Sequence, residues 1–434
     1  MDIILVSLIF MFVLFAFLGS GIWVAVSLLG AAFVVLELFT NVPVGRVMST
    51  STWGMMSTWT LTAMPLFILM GEILFRSRLS EDMFGGLSPW LSRLPGGLLH
   101  VNILACALFA ACSGSSAVTA ATIGRMSLPE LKTLNYPEDK SIATLAGSGT
   151  LGFLIPPSII LIVYGATAEQ SVARLFIAGI FPGLMLVAMF MGYIIVWALL
   201  NPDKMPSTEM KMSLWERIYR TRRLIPVLLL IVGVIGSIYV GVATPTEAAA
   251  IGALGAAILS FFSGTLSWKT FFDSLLGAVR TTCMIGFIVA GAAFVTITMA
   301  YTKIPLHLAE TIDALELSPL LLIFVLTIFY IVLGLFLEGL SIMVLSAAII
   351  LPMVDQAGFD LIWFGIYLVF VVELALITPP VGFNLFVIQG LTGHSIFYVA
   401  RVALPFFVLL LIGLTLIVVF PEIVTYLPSQ MGRR

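Results

Sequence analysis

Uninterrupted apolar runs of about 20 residues recur along this chain, the length a helix needs to cross a bilayer about 30 Å thick. Candidate spans lie at about 3–19, 22–40, 58–76, 141–166, 174–200, 224–243, 246–264, 278–301, 361–390 and 397–420. A β-barrel would show alternating segments of about 10 residues instead, and these are absent. Composition agrees: 61% of the 434 residues are hydrophobic and 10% charged, against about 25% charged in soluble domains. A soluble enzyme, a disordered chain and a nucleic-acid-binding protein are all excluded. The expectation is an all-α, multi-pass integral membrane protein. Cys106, Cys112 and Cys283 lie in apolar stretches without metal or disulfide spacing and read as small buried hydrophobes. The first run carries Asp2 and no preceding Lys or Arg, so it reads as an uncleaved span with the N-terminus outside.

Two further apolar stretches, 98–128 and 318–352, are interrupted near their middles. The interruptions are Cys112-Ser113-Gly114-Ser115-Ser116 and Glu338-Gly339-Leu340-Ser341. Half of such a stretch is too short to cross, so each reads as a re-entrant helical hairpin whose tip lies at membrane depth. The most polar connection, 201–223, holds Lys204, Lys211, Arg217, Arg220, Arg222 and Arg223 against Asp203, Glu209 and Glu216. Its charge marks it as cytoplasmic. Leu214, Trp215, Ile218 and Tyr219 recur there at helical spacing, which predicts an amphipathic helix at the interface. A similar piece spans Trp268 to Leu276.

The two halves resemble each other. Leu128-Pro129 precedes Pro156-Pro157 by 27 residues, and Pro182 follows Pro156 by 26; Leu351-Pro352, Pro379-Pro380 and Pro405 repeat both intervals. Phe67 to Gly71 is answered by Phe287 to Gly291. The organisation is therefore a first repeat over 1–200, a basic linker over 201–223 and a second repeat over 224–434. Five spans plus one hairpin in each half give an odd number of crossings, so the repeats are inverted, as in many secondary transporters. This count places the C-terminus outside, against the mild contrary signal of Arg433-Arg434.

The paired prolines break the helices at 141–166 and 361–390 near mid-membrane, because proline removes an N–H and clashes with the preceding turn. Freed carbonyls in lipid need a partner, and a hard cation such as Na+ supplies one. Helix N-termini at the same break favour an anion. A pair of structural kinks is the alternative, but each break has its own polar-tipped hairpin, which argues for a binding site between the repeats. Intramembrane acids are expensive. Glu338 and Glu373 each read either as an ion or structural partner within the site, or as a protonated carboxyl satisfied by backbone. In Thr244-Pro245-Thr246-Glu247, either threonine could cap the following helix. Arg125 reads as a cytoplasmic anchor in preference to an anion ligand. His100, His307 and His394 are too scattered for a metal site. No G-x-x-x-x-G-K-[ST] loop, HExxH or G-x-S-x-G occurs, so ATP binding by that device and the matching enzymes find no support.

At these residues the chain resembles the large membrane subunit of tripartite ATP-independent periplasmic (TRAP) transporters. The motifs are SGSSAVTAATIGRMSLPE (113–130), GSGTLGFLIPPSIILIVYG (147–165), ATPTEAAAIGA (243–253), FLEGLSIMVLSAAIILP (336–352) and ELALITPPVGFNLFVIQG (373–390). The resemblance implies an elevator-type secondary transporter in the bacterial cytoplasmic (inner) membrane, driven by Na+, importing a small organic anion. It implies two partners, a small four-helix membrane subunit on a separate chain and a periplasmic substrate-binding protein. It points to Na+ sites where hairpin tips meet broken helices: Ser113, Gly114, Ser115 and Ser116 with Gly149, Thr150 and Pro156, and Gly339 and Ser341 with Thr378, Pro379 and Asn384. Backbone carbonyls would supply much of that coordination. Glu338 and Glu373 complete the candidate site. A stand-alone Na+/anion symporter of related fold is the alternative.

Overall fold

The computed structural model describes residues 3–206, 213–305, 307, 318–335, 337–380 and 382–431. Asp2, Glu209, Lys211 and Arg433-Arg434, which entered the charge argument, lie outside the described residues. Among those described, every regular element is helical. The first half holds α1 (Ile3–Gly19), α2 (Val24–Phe39), α3 (Val44–Met56), α4 (Ala63–Phe75), α5 (Leu79–Leu91), α6 (Leu99–Ser113), α7 (Ser116–Thr133), α8 (Glu138–Thr150), α9 (Ile159–Thr167) and α10 (Val172–Leu200). A short α11 (Leu214–Thr221) connects to α12 (Ile225–Val240), α13 (Pro245–Phe262), α14 (Trp268–Thr302), α15 (Pro319–Gly334), α16 (Gly339–Gln356), α17 (Leu361–Leu376), α18 (Phe383–Thr392), α19 (Ile396–Val419) and α20 (Glu422–Gln430).

The repeat persists as structure. Helices α7 and α16 are both 18 residues long and begin 223 residues apart, at Ser116 and Gly339. Helices α8 and α17 begin at the same offset, at Glu138 and Leu361. The chain breaks between α8 and α9 and again between α17 and α18, at the two proline pairs, whose Pro156-Pro157 and Pro379-Pro380 bonds are cis. These broken helices run antiparallel. Glu138 at the start of α8 lies 3.3 Å from His394, just past the end of α18. At the other end, the Tyr164 hydroxyl of α9 donates to the Leu361 carbonyl at the start of α17, at 2.6 Å.

The helices sort into two groups. An outer group packs α14 against α2, α3 and α4, and α4 against α13. An inner group gathers α6 to α10 with α16 to α20, among them α17, which is buried at every residue from Ile362 to Leu376. A helix apolar on all sides belongs in such a centre. The groups meet where α14 packs on α16 and α4 on α6. Gly71 of α4 makes one such approach close: a Cβ there would sit 3.0 Å from Ser113 Cα.

Several expectations change. Among the described residues, five helices are individually long and apolar enough to cross a membrane, and two bent pairs, Val44–Met56 with Trp59–Phe75 and Leu214–Thr221 with Ile225–Val240, raise that to as many as seven. One of the five is α16, expected as a hairpin arm, because its 18 residues reach about 27 Å. Trp268 to Leu276 is no separate helix but the first turns of the 35-residue α14. Helices α3, α5 and α20 were not anticipated: α5 carries Glu81 and Asp82 in its first turn, and α20 is too short for a span. Cys106 and Cys112 are buried, as expected, but Cys283 is exposed.

The amphipathic linker helix is present as α11, with Leu214, Trp215, Ile218 and Tyr219 all exposed. It is fastened to α5. Trp90 Nε1 donates to Thr221 Oγ1 at 2.7 Å, and Arg223 lies 3.7 Å from Asp82. Burial lifts the Asp82 carboxyl above its ordinary value, and Arg223 pulls the other way. At α13 the cap is Thr244: its hydroxyl accepts from the Glu247 N–H at 3.3 Å, and Glu247 Oε2 accepts from the Thr244 N–H at 2.8 Å.

Candidate functional site

The first hairpin turns at Gly114, in the left-handed region at φ 60°, followed by Ser115 in an extended conformation. A side chain at Gly114 would be strained by that backbone and would meet the Pro157 carbonyl at 2.8 Å. The turn is closed by its own polar groups. Ser113 Oγ and Thr119 Oγ1 are 2.9 Å apart, and Thr119 Oγ1 donates to the Ser115 carbonyl at 2.7 Å. The tip rests directly on the first break. The Ile159 N–H, at the start of α9, donates to the Gly114 carbonyl at 3.3 Å. Gly152 faces the other side of the tip, where a Cβ would lie 2.5 Å from the Ser115 carbonyl oxygen.

Ser116 joins the halves. Its hydroxyl donates to the Gly149 carbonyl at 3.0 Å and accepts from Asn384 Nδ2 at 2.7 Å. Ser116 and Asn384 are both fully buried. The first tip, the first break and the start of the last half-helix after the second break therefore meet at one point. A cavity of about 150 Å³ opens beside it, lined by Ser113, Ser115 and Ser116 from the tip, Phe153 from the break, and Glu338 and Phe383 from the second half. Glu72 and Thr281, from α4 and α14, line its outer wall.

The second tip is built differently. Glu338 caps α16: its Oε1 accepts from the Ser341 N–H and hydroxyl, each at 3.0 Å, and Oε2 from the Leu340 N–H at 3.4 Å. Of the alternatives open for this acid, the structure shows a partner to its own helix start. Gly339 packs so closely that a Cβ would meet Val372 and the Phe153 ring, at 2.5 and 2.9 Å. Thr378 Oγ1 donates back to the Leu374 carbonyl at 2.6 Å, and Thr150 Oγ1 to the Gly147 carbonyl at 2.8 Å. Neither hydroxyl bonds across the junction. Pro156 is buried in the first break; Pro379 lies in the second, and neither lines the cavity. Glu373 is fully buried in α17, and neither carboxyl oxygen has a partner among the described residues.

Sequence reading missed Thr119, Phe153, Glu72 and Thr281. Thr119 had a signal, one helical turn beyond Ser115 in the same motif. Glu72 and Thr281 lie in α4 and α14, and only packing brings them to the tip. The oxygens of Ser116, Gly149 and Asn384, with those of Ser113, Ser115 and Thr119, are the hard donors that Na+ takes. The orphaned Glu373 oxygens fit the same chemistry, so the residues present are suited to a cation. The serine tip and the N-terminus of α9 suit an anion.

Residues 10–423 match the family described as tripartite ATP-independent periplasmic transporter, DctM component. The chain is 35% identical to the C4-dicarboxylate TRAP transporter large permease protein DctM of Pseudomonas aeruginosa, over 86% of this chain and 87% of that one. It is 32% identical to the protein of the same description from Rhodobacter capsulatus, over 98% and 99%. The sialic acid TRAP transporter permease protein SiaT of Haemophilus influenzae is 30% identical, over 94% of this chain and 68% of that one. Among solved structures, the YdaH transporter of Alcanivorax borkumensis superposes with a TM-score of 0.63 at 14% identity, covering 89% of this chain and 87% of that one. This last likeness concerns the fold alone.

Proposed function

The chain belongs to the DctM component family of TRAP transporters as a large permease subunit of the membrane, not an enzyme, and from that premise we propose that it imports a small organic anion by coupling it to Na+. The observation that carries the reading is the buried junction of Ser116, the Gly149 carbonyl and Asn384, which joins both halves through oxygen and amide groups at the two breaks. The relatives named for C4-dicarboxylates and sialic acid make a carboxylate the expected cargo. The family implies a small membrane subunit and a periplasmic binding protein as partners, and a bacterial inner-membrane location; the lack of Lys or Arg before the first span puts the N-terminus on the periplasmic side. The antiparallel broken helices support inverted repeats.

Na+ among these oxygens would supply positive charge beside the cargo carboxylate. The chain's own groups do the positioning. The Gly114 carbonyl holds the tip on the first break through the Ile159 N–H, and the Ser116 hydroxyl holds it to the Gly149 carbonyl. Phe153 and Phe383 narrow the cavity and limit water. The inner group, joined to the outer one through α14–α16 and α4–α6, is the unit that would move in an elevator cycle. Each net charge crossing a 100 mV potential supplies about 2.3 kcal/mol, and two would drive accumulation of more than about a thousandfold.

Proteoliposomes holding the full assembly should take up the anion only under an inward Na+ gradient. Equal uptake without Na+ would sink the coupling. Undiminished uptake without the binding protein would favour the stand-alone symporter.

A further inference from the structure

We infer that Arg280 is the cation that receives the carboxylate of the transported anion at the mouth of the candidate site, an inference that deepens the proposed function and rests on it. A second cavity, of about 1380 Å³, lies between the α1–α2 turn, α14, α15 and the second hairpin tip. Its walls are largely apolar, with Phe15, Trp23, Phe287 and Leu333 among them. It shares Met284, Glu338 and Phe383 with the smaller cavity beside the serine tip, so the two adjoin. Of all residues lining either space, Arg280 alone is cationic.

The local carboxylates are committed elsewhere. Glu72 lies 3.0 Å from Arg76, and Glu338 accepts from the start of its own helix. Arg280 is exposed to the cavity and forms no ion pair among the described residues. A guanidinium in apolar surroundings is costly without a counter-anion, and its planar fork matches a carboxylate bidentately. The placement gives it a task. Arg280 precedes Thr281 and lies one turn before Met284, both of which line the inner cavity. An anion entering past the carboxyl groups of Glu338 and Glu72 meets Arg280 as the one cationic side chain among the residues lining the two cavities. It stands on the outer group, whereas the oxygen cluster stands on the inner one, so the carboxylate is met from both.

The chain carries its own reporter. Cys283 lines the same cavity three residues from Arg280 and is exposed, whereas Cys106 and Cys112 are buried. In the full chain assembled with its partner subunit, anionic sulfonatoethyl methanethiosulfonate should label this thiol about tenfold faster than the cationic trimethylammonium-ethyl reagent, after allowance for their intrinsic rates. Cys283→Ser identifies the signal. Arg280→Gln should abolish the preference and raise the uptake KM about tenfold with the Na+ dependence retained; Arg280→Lys should keep most of both. Equal labelling by both reagents in the native chain overturns the inference. So does an Arg280→Gln variant with unchanged preference and KM, and so does labelling blocked for both reagents in phospholipid vesicles but free in detergent, which assigns the cavity to lipid. Uptake by the native chain without a Na+ gradient would remove the coupling and leave the labelling preference standing, so the two failures are distinct.

Discussion

The two hairpin tips occupy equivalent places in the repeat and solve the same problem differently. The first turns on Gly114 and satisfies itself with neutral hydroxyls and carbonyls, leaving Ser116 to reach across to Gly149 and Asn384. The second caps its helix with the Glu338 carboxylate and bonds only within its own turn. The breaks differ in the same way. Thr150 is bonded to Gly147, whereas Glu373, 223 residues later, is buried without a partner among the described residues. The two halves therefore share a backbone device and differ in its chemistry. One side joins the halves, and the other sets a carboxyl group at the cavity wall and buries a second acid in α17.

The comparison breaks most sharply at Gly152→Ala. Its Cβ would press on the Ser115 backbone, which cannot give way as a side-chain end can. Overpacking of this kind costs about 1–3 kcal/mol or more, so uptake should be lost and thermal unfolding in detergent should fall by several degrees. An uptake rate within twofold of native would mean the first tip does not need that fit. Next comes Asn384→Ala, which strips the bond to Ser116 and leaves a buried hydroxyl short of a partner, at about 1–3 kcal/mol. The Na+ concentration for half-maximal uptake should rise about tenfold, read from uptake against Na+. Glu338→Ala removes a cap worth about 0.5–2 kcal/mol; hydrogen exchange should quicken in the first turn of α16 and stay unchanged in α7. Glu373→Leu should raise the thermal midpoint in Na+-free detergent, because it deletes two unpaired buried oxygens worth about 1–3 kcal/mol. It should also shrink the midpoint gain on adding Na+. A lowered midpoint would show that Glu373 has a partner the fold depends on. Thr150→Val, which loses one local hydroxyl bond of about 1 kcal/mol, should change each readout least.

Much of the site was legible in advance because its signals are local. Ser116 stood in the polar interruption of an apolar run and Glu338 was singled out by the cost of an acid at membrane depth, whereas Gly149 and Asn384 were named from the resemblance to the TRAP large subunit. The alternatives left open for Glu338 needed coordinates, since capping depends on where Ser341 and Leu340 point their N–H groups. Glu72, Thr281 and Phe153 had no signal of their own: their part arises from α4, α14 and the first break converging on one tip. Cys283 was misjudged because an apolar neighbourhood in sequence does not distinguish a packed face from a cavity wall.

By itself the sequence determined that the chain is a bundle of membrane helices, that its proline motifs recur at one spacing in both halves, and where its helices break. Apolar length, proline chemistry and repeat spacing are properties of the chain alone. Tertiary structure decided which breaks meet which tips, that the broken helices run antiparallel, and that Ser116 of one half bonds to Asn384 of the other, 268 residues away. Contacts at that separation have no sequence periodicity. They exist only once packing has buried their polar groups together, where each must find a partner.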